Sequence, residues 1–292
     1  MKQMITQPCT LLDCLIQMFP NSSKSNLRKM LTQGRITVDG QTEHRAKTQL
    51  EAGTTVMILD RPTALVQTPP PVKPNPVDLD VIFEDETLLV VNKPAHLLSV
   101  ATDRLEMDTL HSRCVDYLRF TESKAWCYIV HRLDKETSGA MVLAKTKPAK
   151  EDLQSQFADR EVHRIYLALV EGAPSTDSGT VHSYLTEDKF LNVKAVNSKH
   201  PKGKEAISHY RVLDTIDELS LVEVTIETGR RHQIRMAMQY LKSPVVGDEL
   251  HGAMSNPHKR VMLHASALEF IHPSSDDPVR FEAPPPSMFR LT

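Results

Sequence analysis

Apolar residues recur along this chain with two different spacings, and the switches between them mark out its elements. Near the start, Leu11, Leu12, Leu15 and Ile16 form the stripe of a short helix over residues 10–18. A second helix opens at Ser22 or Ser23, both good N-caps, and runs through Leu27, Met30 and Leu31 to Gly34, a natural stop. The run Arg35-Ile36-Thr37-Val38 then alternates into an Asp39-Gly40 turn, and residues 55–59 read as a further strand. Beyond residue 77 the pattern predicts strands over 88–92, 139–144, 164–171, 209–214 and 219–227, and helices over 109–120, 148–159 and 232–241. Strands and helices do not alternate strictly, so the body reads as α+β and not as a doubly wound parallel fold.

Between the two groups of elements, residues 62–76 hold six prolines: Pro62, Pro69, Pro70, Pro71, Pro74 and Pro76. Such a run sustains neither a helix nor a central strand and favours an extended, semi-rigid connector. It divides the chain into a head (1–61), a proline-rich linker (62–77) and a body (78–292).

Composition changes this picture little. The 292 residues are 40% hydrophobic and 25% charged, ordinary for a globular protein. No apolar run approaches the ~20 residues of a membrane span. The N-terminus lacks a basic stretch followed by an apolar one, so a cytoplasmic location is expected. Net charge is −2, but residues 1–62 carry eight Lys/Arg against five Asp/Glu, a local +3. A basic face of that kind keeps a nucleic-acid partner open. Cys9, Cys14, Cys114 and Cys127 show no metal or disulfide spacing and read as reduced thiols.

The densest chemistry is His131-Arg132-Leu133-Asp134-Lys135-Glu136-Thr137-Ser138-Gly139, a polar loop between two apolar runs. Rigid strands commonly display catalytic groups on such loops. The kinase motif His-Arg-Asp is not met, because Leu133 intervenes and no Gly-rich loop precedes it. The stretch resembles instead the H-R-L-D-x-x-T-S-G signature of the RluA family of pseudouridine synthases. Further resemblances follow in the family's order: Asn92-Lys93-Pro94 with Leu97-Leu98-Ser99-Val100, the strand around Tyr166, Thr228-Gly229-Arg230-Arg231-His232-Gln233-Ile234-Arg235, Gly247-Asp248, and Leu263-His264-Ala265. Two departures stand in the first motif: His96 replaces the usual glycine, and Ala101 the usual proline. The head string SKSNLRKMLTQGRITVDG is similar to the αL RNA-binding module named after ribosomal protein S-four.

These resemblances imply a fold, a reaction and a set of roles. The fold is a catalytic domain on a mixed, largely antiparallel sheet with a central cleft, plus a small αL RNA-binding head. The reaction turns chosen uridines of RNA into pseudouridine, with rRNA the first candidate substrate and tRNA the second. Asp134 is the implied catalytic carboxylate, and a carboxylate suits work beside a ribose–base bond. It must stay ionised in a pocket that excludes water, which calls for a nearby cation; the family pairing makes that Arg235. Tyr166 stacks on the uracil and serves the late proton transfer. Arg132 contacts RNA or fills the space left by the everted nucleotide. Arg230 and His232 in the third motif, and Lys24, Arg28 and Lys29 in the head, are RNA contacts. Lys194, Lys199, Lys202 and Lys204 give the body a basic loop as well.

His131 and His232 lack the spacing of a zinc site, so no metal is expected. The isomerisation needs no redox step or group carrier, so no cofactor is expected either. RNA is the expected partner, no membrane is, and one chain is the default state. Two rivals remain: an RNA-binding or ribosome-assembly protein without catalysis, and a glycoside hydrolase using Asp134 with Glu136.

Overall fold

The computed structural model describes residues 2–20, 22, 27–28, 30–31, 34–59, 77–102, 106–189 and 191–291. In the head, β1 (Lys2–Met4), β2 (Cys9–Thr10) and α1 (Leu11–Met18) precede β3 (Ile36–Val38), β4 (Gln41–Thr42), β5 (Gln49–Leu50) and β6 (Thr55–Ile58). Thr10 caps α1 by accepting the Asp13 N–H, and Leu11, Cys14 and Leu15 face a small core closed by Leu27, Leu31, Ile36 and Val56. Leu27, Arg28, Met30 and Leu31 are helical, as the spacing predicts. Ser23 and residues 60–76 of the linker region lie outside the described residues. The Asp39-Gly40 turn has positive φ at both residues (50° and 85°), the geometry that lets β3 fold back on β4. The head's sheet runs β1-β6-β3-β4.

The body is one mixed sheet. Its strands are β7 (Val81–Glu84), β8 (Leu88–Lys93), β9 (Tyr128–Ile129), β10 (Ser138–Ala144), β11 (His163–Glu171), β12 (Ser178–Glu187), β13 (Val193–Val196), β14 (Lys204–Ile216), β15 (Leu219–Ile226), β16 (Leu263–Ile271) and β17 (Pro278–Glu282). They run in the order β13-β12-β14-β15-β11-β16-β10-β8-β7, with β17 beside β16 and β9 beside β10. Among the described residues, β10 with β16 is the single parallel pairing; every other pairing is antiparallel. The helices are α2 (Leu110–Thr121), α3 (Lys147–Ala158) and α4 (Gln233–Tyr240).

β8 and β10 read as unbroken apolar runs because both faces of the sheet are covered at its centre. Met141 and Leu143 of β10 pack with Leu110, Cys114 and Met238 on one face. Ala140, Val142 and Ala144 pack with Leu153, Phe270 and Phe281 on the other. α2 and α3 start where hydroxyls can cap them: Thr109 accepts the Ser112 N–H and Thr146 the Ala149 N–H. Among the described residues, three ion pairs join head to body: Arg45 to Asp277 (2.6 Å), Lys47 to Asp276 (2.8 Å) and Arg28 to Glu161 (3.7 Å).

Candidate active site

The polar loop of residues 131–138 hangs between β9 and β10, at the parallel seam of the sheet. Gly139 explains why the loop must end in glycine. Its φ is +118°, and a Cβ there would fall 2.2 Å from the Ala265 carbonyl oxygen of β16. Only a residue without a side chain lets the two strands pair, Ser138 with His264 and Gly139 with Ala265. Beside the seam, His264 Nε2 lies 2.9 Å from the Ala283 carbonyl, which accepts its proton. His264 Nδ1 is then left to accept the Ser138 hydroxyl at 2.8 Å. The ring is neutral in this arrangement, and burial holds its pKa below the ordinary histidine value. Arg260 Nη2 donates to the same Ser138 oxygen (2.9 Å) and to the Leu263 carbonyl (3.1 Å).

The other end of the loop is fixed as firmly. His131 Nε2 accepts the Val142 N–H at 3.1 Å, and its ring stacks on Phe157 at 4.8 Å. Burial, helped by the Arg164 charge, pushes its pKa down to about 3, so it stands as a neutral acceptor inside the fold. Between these ends, the segment 93–99 grips the loop. The Ser99 hydroxyl donates to the Leu133 carbonyl (2.7 Å) and accepts the Leu133 N–H (3.1 Å). Lys93, fully buried, donates to the carbonyls of Pro94 (2.9 Å), Leu97 (2.7 Å) and Lys135 (3.2 Å). Burial pushes its ammonium down to about 7 against the pull of the Asp134 and Glu136 carboxylates. His96 adopts the left-handed conformation (φ 66°), the backbone a glycine would take, and its Nδ1 meets Glu136 at 2.6 Å. The departure from the family pattern thus keeps the turn and adds a side-chain contact to Glu136. It also engages Glu136, which weakens the reading of Asp134 and Glu136 as a carboxylate pair.

A cleft of about 370 Å³ opens over this loop, and Arg132, Asp134, Tyr166, Arg230, His232 and Arg235 all line it. The six body residues singled out from the sequence therefore meet in one place. Asp134 is half-buried and, among the described residues, its carboxylate takes no hydrogen bond or ion pair. Tyr166 sits beneath it on β11, where a bulge at Ile165/Tyr166 against β16 re-aims the strand. Burial, with the Asp134 charge beside it, raises the Tyr166 phenol and keeps it protonated. Arg132 is exposed at the mouth. An adjoining space of about 960 Å³ shares Arg132, Asp134 and Arg230 and is walled by Lys202 and Lys204 at the β13–β14 connection.

The third motif folds as a knot of hydrogen bonds. Gln233 Oε1 accepts the Thr228 hydroxyl (2.7 Å) and the Arg230 N–H (3.0 Å), while its Nε2 donates to the Ile207 carbonyl (2.9 Å). Gly229 leaves room for Arg164, whose Nη1 would lie 2.5 Å from a Cβ there. His232 enters α4 in the left-handed region (φ 53°) and meets the buried His251 at 3.1 Å. Burial and the neighbouring Arg235 push the His232 pKa down to about 3, so it presents a neutral ring to the cleft.

Arg235 corrects an expectation. The motif pairs it with Asp134, yet here its Nε and Nη2 close a bidentate fork on Asp248 at 2.6 and 2.5 Å. Both groups are buried, Asp248 at 1% exposure and Arg235 at 7%. The reason is geometric: a planar guanidinium satisfies two donors on one carboxylate, and the β15–α4 turn aims that edge at Asp248. Of the expected RNA contacts in the head, Arg28 faces Glu161 of the body, and Lys24 and Lys29 lie outside the described residues. Lys93, Ser99, Ser138, Arg260 and Asp248 carry no role that residue pattern alone assigns. All but Arg260 stand inside the motifs quoted above, and that is the available signal.

A carboxylate and a tyrosine at the floor of an arginine-rich cleft make this a candidate enzyme site. Its relatives specify which kind. The family described as RNA pseudouridylate synthase matches residues 87–240. Ribosomal large subunit pseudouridine synthase D of Xanthomonas campestris is 36% identical over 93% of this chain and 84% of its own length. Its namesake from Zymomonas mobilis is 38% identical over 75% of this chain and 73% of its own. A solved human structure, RNA pseudouridylate synthase domain containing 4, shares the fold with a TM-score of 0.61 at 23% identity, over 72% of this chain and 90% of that one. The chain belongs to the RluA family of RNA pseudouridine synthases, and it is an isomerase.

Proposed function

We propose that this enzyme isomerises uridine in ribosomal RNA of the large subunit, with Asp134 as its catalytic carboxylate. The substrate reading rests on the relatives named as large-subunit synthases, which match over nearly the whole chain. The assignment of Asp134 rests on one observation: it is an unpartnered carboxylate on a loop anchored at both ends, in a cleft whose other charged walls are cationic or paired. In the reaction the N1–C1′ bond of uridine breaks, the base turns, and a C5–C1′ bond forms. A proton leaves C5, and N1 gains one. Asp134 acts at the ribose–base junction, and the protonated Tyr166 beneath it lies where the uracil ring stacks. Arg235, its charge paired with Asp248, is held fixed in the floor. Arg132 and Arg230 at the mouth take the flanking phosphates, with Lys202 and Lys204 beyond them, and His232 faces the bound nucleotide with a neutral ring. The head serves as an RNA-binding module of the S-four kind. Acting on ribosomal RNA, the enzyme works in the cytoplasm, one chain supplying the whole cleft.

Tritium release from RNA labelled at uracil C5 tests this reading, using bulk rRNA and tRNA from cells lacking the enzyme. Wild type should release tritium from the large-subunit rRNA. Asp134→Asn should lose at least about 10³-fold in rate. Release from tRNA alone would move the substrate, and unaltered release by Asp134→Asn would remove Asp134 from the chemistry.

A further inference from the structure

Two histidines meet beside the cleft, and only one of them reaches its surface. His232 lines both the cleft and the adjoining space, at the entry to α4. His251, in the single helical turn Glu249–His251, lines neither and is 5% exposed. Its Nε2 lies 3.1 Å from His232 Nδ1, with the two rings edge to face at 83°. Burial, with Arg235 close to both rings, holds each below the ordinary histidine pKa, so both are neutral. A neutral imidazole carries one N–H. The ring that donates across the shared bond therefore has a bare outer nitrogen, and the ring that accepts has a protonated one.

Two arrangements are open, and they present opposite groups to the cleft. If His232 donates, His251 Nδ1 carries a proton inside the fold, and among the described residues nothing accepts it. A buried donor without an acceptor is the costlier orphan. If His251 donates, its Nδ1 is bare, His232 Nδ1 accepts, and His232 Nε2 bears the proton. The cleft favours the same arrangement. His232 stands between Arg231 and the entry of α4, with Arg230 beside it. The groups drawn to such a wall are phosphate oxygens and ring carbonyls, all of them acceptors. We propose that His251 is a positioning residue that locks His232 in the Nε2–H tautomer, making it a neutral donor to an oxygen of the bound nucleotide. The oxygen's owner rests on uridine in RNA being the substrate, whereas the tautomer lock exists in the free enzyme.

Nitrogen NMR of histidine-labelled enzyme reads the tautomer directly, and single-turnover tritium release reads its use. Wild type, His232→Ala, His251→Phe, His251→Gln and His251→Asn are compared, with thermal melting on the same samples. Glutamine places an amide donor where Nε2 stands, asparagine places it nearer Nδ1, and phenylalanine offers none. Wild type should show His232 protonated at Nε2 and bare at Nδ1. His251→Phe should replace that single form by a mixture and lose about 10-fold in rate over half-saturating RNA concentration. His251→Gln should restore both, and His251→Asn neither. Combining His232→Ala with His251→Phe should cost no more than His232→Ala alone. A loss confined to the half-saturating concentration assigns the oxygen to a backbone phosphate, and a loss in the rate itself assigns it to the uracil ring. A bare His232 Nε2 in wild type would overturn the proposal. So would His251→Phe within about twofold of wild type, His251→Gln no better than His251→Asn, or losses that track the folded fraction. If His251→Phe does not fold, His251→Asn takes its place. No tritium release from wild type, with the His232 tautomer as expected, would instead overturn the uridine reading and leave the lock standing.

Discussion

Beneath the cleft and behind its loop, three buried cations are tied down. Arg235 is forked by Asp248, Lys93 is held by three carbonyls, and Arg260 is tied to Ser138 and Leu263. At the rim the cations are loose. Arg132 is exposed and, among the described residues, makes no ion pair, and neither do Lys202 and Lys204 at the β13–β14 connection. Arg230 gives one hydrogen bond, to the Glu205 carbonyl, and leaves the rest of its guanidinium toward the cleft. The difference teaches how one enzyme can be precise and adaptable at once. Buried charges must be paired because an unpaired one costs several kcal/mol. That requirement freezes the catalytic geometry before any substrate arrives. Exposed charges carry no such requirement and can follow the path of an RNA backbone.

If the floor is a single packed unit, its weakest tolerance is at the seam. Gly139→Ala should cost about 4 kcal/mol, combining an overpacked contact with a strained φ. It should be seen as insolubility or as a large fall in the urea midpoint, with activity lost alongside. A soluble Gly139→Ala with a wild-type midpoint would show that the seam yields. Asp248→Asn is the next largest. It leaves the buried Arg235 charge without its partner and should lower stability by about 3 kcal/mol, measured by urea unfolding. The rim should respond in the opposite manner. Lys202→Ser with Lys204→Ser should leave the urea midpoint unchanged and weaken RNA binding. The plot of log affinity against log salt should flatten by about one for each phosphate the variant no longer neutralises. A stability loss in this variant, or an unchanged salt slope, would erase the distinction between floor and rim.

The same division governs what could be read from the residues alone. β8, β10, β11 and β15 were legible because their apolar runs or strict alternation report burial directly. β12 and β13 were not: most of β12 is exposed or half-exposed near the sheet's edge, so its residue pattern carries little signal. Residues meeting in the cleft were legible because they stand in recognised motifs. Their partners were another matter. Ser138 and His264 are 126 residues apart, and no spacing reports such a bond. Lys93 stood in a quoted motif, but its burial was not legible, since composition assigns that side chain to water. Arg235 was placed correctly in the first turn of a helix but given the wrong carboxylate. The motif names the arginine, and only the turn between β15 and α4 decides which acid its fork meets.

The parallel seam also has a history in time. During synthesis β10 leaves the ribosome long before β16, the strand that closes on it, and its buried apolar edge stands open for that interval. Contacts so distant in sequence form late in folding, and an uncovered strand edge invites association with other chains. The seam beside the Asp134 turn can therefore close only after β16 has been made. A chain that has made β10 but not β16 lacks the partner strand of this seam, so the order of manufacture itself delays completion of the cleft.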